Sequence, residues 1–518
     1  MNTLQYKISL ILAGGLFLGI VGCTDLDDKV LDRPTTSSSG SNLDPTALLN
    51  GVYAQLNPLV SQENVYAMEE HTSDEMMGPT RGTDWDDFGT WRRLHQHTWD
   101  ANHNQITNAW DVINTGVFRA TEVIAATEDG SVIEAQARFL RAFFMFYVVD
   151  LYGQAPFREA SDGFDVDPKV LTRSEATDFI IQDLETALPI LPTIGSGSNA
   201  TPGRATKEAA HFLLAKVYLN KAVFKQNPEQ PAGPYTFAPA DMNKVIEHTN
   251  AIINSGKFQL EPQGEYFDNF HWDNTNLSKE LVFVIQQEKG APVADVRSRY
   301  YMTLHYNQTP SGWNGFTTLA DFYGSFEAQD DRLGGAYPGM TDKLGYNAGF
   351  LVGQQKGPSG NNLQDRGGSP LVFTPDVNLL YSDEKLGIRV IKYLPEPGNI
   401  DQGGHDYVFF RYADALLMNA EATLRGGTGG SPAADLVNQV RNARGLSNLS
   451  SVTEADLLKE RGHELYWEGW RRNDLIRFGT FLEPFDQKPA KSPDHVVVFP
   501  IPQRALDTNP NLKQNFGY

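Results

Sequence analysis

Residues 134–157 read EAQARFLRAFFMFYVVDLYGQAPF, and the reading of this stretch decides the fold. From Phe139 to Leu151 apolar residues run almost all the way round a 3.6-residue period. A helix of that kind is buried on most of its faces and needs helical neighbours on several sides. Gly153 and Pro156 mark its end. Outward from it, 105–126 places Ile106, Ala109, Trp110, Ile113, Val117, Ala120, Val123 and Ile124 at helical spacing. The stretch ATKEAAHFLLAKVYLNKAVF (205–224) alternates small and large apolar residues. RYADALLMNAEATLRGG (411–427) and LLKERGHELYWEGWRRNDLIRFG (457–479) repeat the theme, and Asp44-Pro45 supplies an N-cap and first-turn proline for a helix through Tyr53. Small residues interleaved with aromatics let paired helices approach closely, as in tetratricopeptide-like units. The copies are irregularly spaced, which excludes a regular solenoid. The expected fold is mostly α: a tetratricopeptide-like scaffold of helical pairs with long loop-rich insertions and a few short strands, in one domain over 45–518.

Two insertions stand out. Between about 256 and 405 helical periodicity fades and Gly, Pro, Asn and Asp become frequent, with Glu280–Ile285 reading as a strand. Residues 62–104 are similar. Long irregular stretches inside a large domain carry function more often than regular elements do, so binding loops are expected in both.

The N-terminus has its own logic. Lys7 precedes an uncharged apolar run from Ile8 to Gly22, short for a membrane span but suited to the core of a secretory signal peptide. The run ends Ile20-Val21-Gly22-Cys23, which resembles a bacterial lipobox, and Cys23 is the single cysteine of the 518 residues. The expected organisation is a signal peptide over 1–22, lipidation of Cys23 after cleavage, and a flexible Asp- and Ser/Thr-rich tether over 23–44. Beyond Cys23 no disulfide, thiolate metal site or cysteine nucleophile is available. The formal charge of −21, from 64 acidic and 43 basic residues, opposes binding of nucleic acid and of other polyanions.

Four further segments carry a family resemblance. Arg138-Phe139-Leu140-Arg141-Ala142 leads to Asp150-Leu151-Tyr152-Gly153-Gln154-Ala155-Pro156; Arg411–Met418 is followed by Ala420-Glu421-Ala422. Glu460-Arg461, Glu464-Leu465, Glu468-Gly469, Arg471-Arg472 and Asp474–Gly479 form the third, and Phe499–Gln503 with Asn509–Leu512, Gln514-Asn515 and Gly517-Tyr518 the fourth. In this order, behind a lipobox, they resemble the SusD/RagB proteins over essentially the whole mature chain. That resemblance implies a surface lipoprotein that is not an enzyme. It would capture oligosaccharides and pass them to a SusC-like TonB-dependent transporter in the outer membrane. Asp25, Asp27 and Asp28 are similar to the acidic residues that mark export of such lipoproteins to the outer face. The motif residues themselves are expected to serve packing, with Arg and Glu forming ion pairs and the C-terminal segment docking on the scaffold.

A sugar ring presents an apolar C–H face and a rim of hydroxyls, so its site pairs aromatic planes with short polar side chains. Two stretches show that mixture: Asp74–Trp91, following a Ser73-Asp74-Glu75 whose family counterpart precedes sugar-site residues, and Tyr300–Phe316. Trp85 and Trp313 are the first candidates, Tyr306 and Trp91 follow, and Arg81 and Asp84 are candidates for hydroxyl contacts. Trp110, Trp467 and Trp470 are assigned to packing on amphipathic helices. No His-Glu-x-x-His, Gly-x-Ser-x-Gly or Walker motif occurs. His95-x-His97 is too little to specify a metal, and no cofactor is expected; a structural Ca2+ on loop carboxylates is compatible with the composition, though no spacing specifies it. The ligand is expected to be a neutral glycan, with a β-glucan of the laminarin type named first and starch, xylan and fructan open. A surface glycoside hydrolase and a peptide- or protein-binding lipoprotein on the same scaffold are the alternatives.

Overall fold

Helix Val132–Leu151 is the centre of the molecule, and every residue from Phe139 to Leu151 is buried. Ser131 caps it, its hydroxyl accepting from the Glu134 amide at 3.1 Å. Its neighbour, helix Asn104–Ala125, comes close because Gly116 lies under Phe144: a Cβ there would stand 2.5 Å from the ring. Helices Arg173–Ala187, Lys207–Phe224, Pro239–Ile253 and Tyr412–Leu424 follow, each packed on the one before, and Ala433–Ala443 and Glu454–Leu465 pack on Tyr412–Leu424. This is the expected helical-pair scaffold. The computed structural model describes residues 44–518 apart from 160, 163–165 and 291–294; the 1–22 leader, Cys23 and the tether up to 43 lie outside the described residues. Asp44–Tyr518 forms one compact unit. Among the described residues no helix is long and apolar enough to cross a membrane.

The expected N-cap at Asp44 is present, its carboxylate accepting from the Thr46 amide at 2.9 Å. Strand Leu281–Ile285 pairs antiparallel with Tyr407–Arg411, and the other strands are pairs of two or three residues. One expectation needs correcting. The 457–479 stretch is not a single helix: Glu454–Leu465 and Arg471–Arg477 are separate, because Trp467 and Gly469 take left-handed φ of 57° and 81°. Trp467 and Trp470 are buried packing residues, as expected, but in this break rather than on a helix.

The motif residues form a buried charged network. Arg411 donates to Glu464 at 2.6 Å, Glu468 at 2.8 Å and Glu280 at 3.3 Å. Arg444 bridges Glu464 (2.8 Å) and Glu280 (2.9 Å), and Arg332 joins Glu464 (3.0 Å), Glu460 (2.6 Å) and Asp330 (2.7 Å). A second set links Arg461 to Asp414 and Asp474, and Arg477 to Glu421 and Asp474. Charges taken out of water are tolerable only when their hydrogen bonds are met, and here nearly every donor has a carboxylate. The C-terminus is docked as expected, the Asn515 amide donating to the carbonyls of Tyr152 (2.8 Å) and Phe499 (2.7 Å).

Candidate functional site

The loops begin where they are tied to the scaffold. Glu75 accepts from the Trp467 amide at 3.0 Å, Glu70 from the Gly469 amide at 2.6 Å, and Asp74 accepts from Nε and Nη2 of Arg471 at 2.7 and 2.8 Å. Ser73-Asp74-Glu75 thus anchors the loop that follows it. The second loop joins the first through Met77, whose amide and carbonyl pair with Thr317 at 2.8 and 3.0 Å.

Above this base the aromatic residues collect. The Trp85 indole lies on the backbone of the second loop, where only glycine fits: a Cβ at Gly315 would stand 2.5 Å from the ring. Its N–H donates to the Trp313 carbonyl at 2.9 Å, and its ring packs on Phe316 with centroids 4.9 Å apart. Trp313 is 37% exposed and stacks on Tyr301 at 5.5 Å and 24°. Its backbone is held by the next residue: Asn314 sits at a left-handed φ of 52° and accepts from the buried Arg389 at 2.9 Å. The result is a rigid, open indole face.

The same two loops carry a polar group. The Tyr306 hydroxyl donates to Asp84 at 2.7 Å, and burial with that bond pushes the phenol up to about 12, so it remains a donor. The Arg366 guanidinium covers the Tyr306 ring at 4.1 Å and reaches Asp84 at 3.4 Å. Glu384 accepts from the Arg366 side chain, from the Arg366 amide at 3.0 Å and from His305 at 3.1 Å. Burial pushes Glu384 up, but the Arg366 and His305 bonds outweigh it and hold the carboxyl below its ordinary value. These groups border an open cleft of about 930 Å3, lined by Arg81, Asp84, Arg92, Arg366, Tyr381 and Glu384 among others. That volume is in the upper range for ligand sites.

Residues 279–518 match the family model described as the SusD family, and residues 29–219 match one described as starch-binding, associating with the outer membrane. SusD-like protein P38 of Formosa agariphila is 36% identical over 457 residues, spanning 79% of this chain and 79% of that protein. The chain belongs to the SusD family. The starch-binding protein SusD of Bacteroides thetaiotaomicron is 26% identical over 422 residues, covering 74% of this chain and 72% of SusD. The same SusD fold is found in surface glycan-binding protein A from Bacteroides thetaiotaomicron, solved with laminarihexaose, at a TM-score of 0.68, 19% identity, and 91% and 98% coverage of the two chains.

Within this SusD-type frame the six residues singled out from the sequence are brought to one place, at different depths. Trp313, Trp85, Tyr306 and Asp84 reach the surface. Trp91 does not: it is 3% exposed, wedged against Phe316 at 4.8 Å, with its N–H committed to Asp87 at 2.7 Å. Arg81 is 4% exposed and donates to the carbonyls of Gly315 (3.1 Å), Asp383 (2.6 Å) and Leu386 (2.9 Å), so it staples loops together at the base of the cleft. Arg366, Glu384, Tyr381 and Phe88 were not singled out from the sequence. Asp383-Glu384 and Arg366 look like ordinary solvated charges there, and only the fold brings them to Tyr306. Phe88 had a visible signal, an aromatic between Asp87 and Gly89 in a stretch without helical or strand period.

The histidines of His95-x-His97 are packing residues. His95 bonds the Asp486 carbonyl at 3.0 Å, and His97 bonds the Thr72 carbonyl at 2.8 Å and Ser492 at 2.9 Å. Among the described residues Glu261, Glu265 and Asp268 come close enough to share a cation. Glu261 and Asp268 already accept from the Lys279 amide and the Tyr337 hydroxyl, each at 2.6 Å, and no ion is assigned there.

Proposed function

We propose that this protein is a non-catalytic glycan-binding lipoprotein of the outer-membrane surface, anchored through Cys23. It captures neutral oligosaccharides and hands them to a SusC-like TonB-dependent transporter for import. The observation that carries the reading is the open Trp313 face, stacked on Tyr301 and joined through Trp85, which bonds the Trp313 carbonyl, to the polar group of Asp84, Tyr306 and Arg366. An indole of this kind suits the C–H face of a pyranose, and the neighbouring carboxylate, phenol and guanidinium suit its hydroxyls. A relative named for starch binding and a structural neighbour solved with laminarihexaose support a glucan, with the β-glucan the first to test.

The charge states favour binding over cleavage. Glycoside hydrolysis needs a carboxylic acid held protonated beside the bond it breaks. Burial pushes Glu69, Glu70, Glu75, Glu261, Asp295 and Asp406 up, but none of them lines the cleft, while Glu384, which does, is held below its ordinary value.

Affinity electrophoresis against starch, laminarin, xylan and fructan tests the reading. Retardation by one of them without release of reducing ends is expected; free migration through all four, or hydrolysis, contradicts it. Delivery is tested by purifying the full chain from outer membranes: a TonB-dependent transporter should accompany it, and a Cys23→Ala chain should leave the membrane.

A further inference from the structure

We propose that Phe88 and Tyr381 form a second carbohydrate-stacking subsite on the rim of the cleft. It would take the outer residues of a neutral oligosaccharide whose other end lies on Trp313. The proposal rests on the glycan-binding reading above and deepens it: the site would select chain length.

Phe88 is fully exposed, at 101%, and sits in the left-handed region at φ 55° and ψ 27°. Its neighbours Trp85 and Asp87 are also left-handed, at 63° and 40°. For a bulky residue this backbone is unfavourable and persists only where surrounding contacts enforce it. Those contacts are present: the Trp85 N–H on the Trp313 carbonyl, the Trp91 N–H on Asp87 and Arg92 on Asp86 at 3.2 Å. None of them involves the Phe88 ring. The fold therefore strains a turn to hold out a large apolar ring that gives the fold no packing in return. Strain of this kind gathers at ligand sites.

Tyr381 is 82% exposed on the facing loop. Its turn is built by Asn378, which accepts from the amides of Leu380 (2.9 Å) and Tyr381 (3.0 Å). The turn is tied to the first loop by the Thr80 amide on the Leu379 carbonyl at 3.0 Å and the Ser382 amide on the Thr80 carbonyl at 2.9 Å. The ring is thus held firmly at its base and left open above.

Tyr381 lines the cleft; the Phe88 ring does not, but it projects from the loop whose Asp86 and Arg92, on either side of it in sequence, do. The Arg92 guanidinium lies 2.8 Å from where a Gly89 Cβ would stand, which puts the Phe88–Gly89 turn directly over it. The cleft's charges nearly cancel: Arg81, Arg92 and Arg366 against Asp84, Asp86, Asp383 and Glu384. A polyanion gains little from such a lining, whereas a neutral polyol finds donors and acceptors together. Asp84 and Arg366 both contact Tyr306, and Trp85, next to Asp84, bonds the Trp313 carbonyl, which links the cleft to the first platform.

The test is calorimetry with malto-, laminari- and xylo-oligosaccharides, each as the trisaccharide and the hexasaccharide, on the full chain and its Phe88→Ala, Tyr381→Ala and Trp313→Ala variants. Both rings are exposed, so the first two variants should melt with the wild type. For the hexasaccharide that binds, Phe88→Ala and Tyr381→Ala should each lose about three- to tenfold in affinity, while the trisaccharide is unaffected. Trp313→Ala should weaken both lengths. Wild-type hexasaccharide affinity in both ring variants overturns the second subsite and leaves the first reading standing. Failure of the wild type to bind any of the six sugars overturns both.

Discussion

The helical scaffold and the loop face both crowd arginines against carboxylates, and they use the arrangement differently. In the scaffold, Arg411, Arg444, Glu280 and Glu464 have fully buried side chains, and each guanidinium spends its donors on several carboxylates. In the cleft, the side chains of Arg366 and Asp84 are 53% and 39% exposed and meet at 3.4 Å. A buried network cannot exchange partners without leaving a charge unpaired in a low-dielectric interior. An exposed pair is worth little and can trade its partner for water or a sugar hydroxyl. The first kind of contact therefore fixes shape and the second is available for recognition.

The largest expected effect lies on the scaffold side. Arg411→Met leaves Glu464 and Glu468 short of a partner and should cost about 3–5 kcal/mol, read as a lower denaturant midpoint. An unchanged midpoint would mean that the buried network does not fix the fold.

Acid separates the two regions next. Burial pushes His95, His103, His248 and His405 down to about 4, and His71, His97 and His463 well below their ordinary value. Burial also pushes Glu69 and Glu75 up, Glu70 to about 7 and Asp406 to about 6. Burial also lowers the other four histidines, His211, His271, His305 and His495, and raises Glu261 and Asp295, so between pH 6.5 and 4.5 the fold opposes proton uptake on eleven histidines and favours it on six carboxyls. The unfolded state binds more protons, so stability falls with falling pH. Below pH 4.5 the network adds to the loss: burial raises Glu464, but Arg444 and Arg411 outweigh it and hold it well below its ordinary value. A scan of Tm from pH 7.5 to 4.5 should show a decline. In the cleft, Tyr306 titrates near 12 and both His305 and Glu384 are held below their ordinary values. Glycan affinity should therefore be flat from pH 7 to 9; a step in that range would place a titrating group in the site.

A smaller effect is expected at the strained turn. Phe88→Gly relieves a left-handed phenylalanine at some cost in chain entropy, and should leave stability equal or raised by up to ~1 kcal/mol. A loss of stability would mean that the exposed ring packs on the fold after all.

The same contrast explains what could be read in advance. Helical period and the small-large alternation around Phe139–Leu151 are local signals, and they led to the helical scaffold. The break at Tyr466–Trp470 was hidden because its residues keep the apolar character of a buried helix; what interrupts it is the tertiary demand of Glu70 and Glu75 for the amides of Gly469 and Trp467. The loops were legible by composition, which drew attention to Trp85 and Trp313. Depth was not: Trp91 and Arg81 share the composition of the surface residues around them, yet Phe316 and the carbonyls of 383–386 enclose them. Arg366 and Glu384 meet Tyr306 across a long separation in the chain, and no local pattern announces it.

An aromatic face on the loops, held by the scaffold but not part of it, is the proposed sugar platform. Calorimetry on the wild type and Trp313→Ala, with the glycan chosen by affinity electrophoresis, tests it most directly. About a tenfold or greater loss of affinity is expected in a variant that still folds cooperatively, because the exposed part of the indole is the sugar platform and its covered part stacks on Tyr301. Wild-type affinity in a folded Trp313→Ala chain would contradict it.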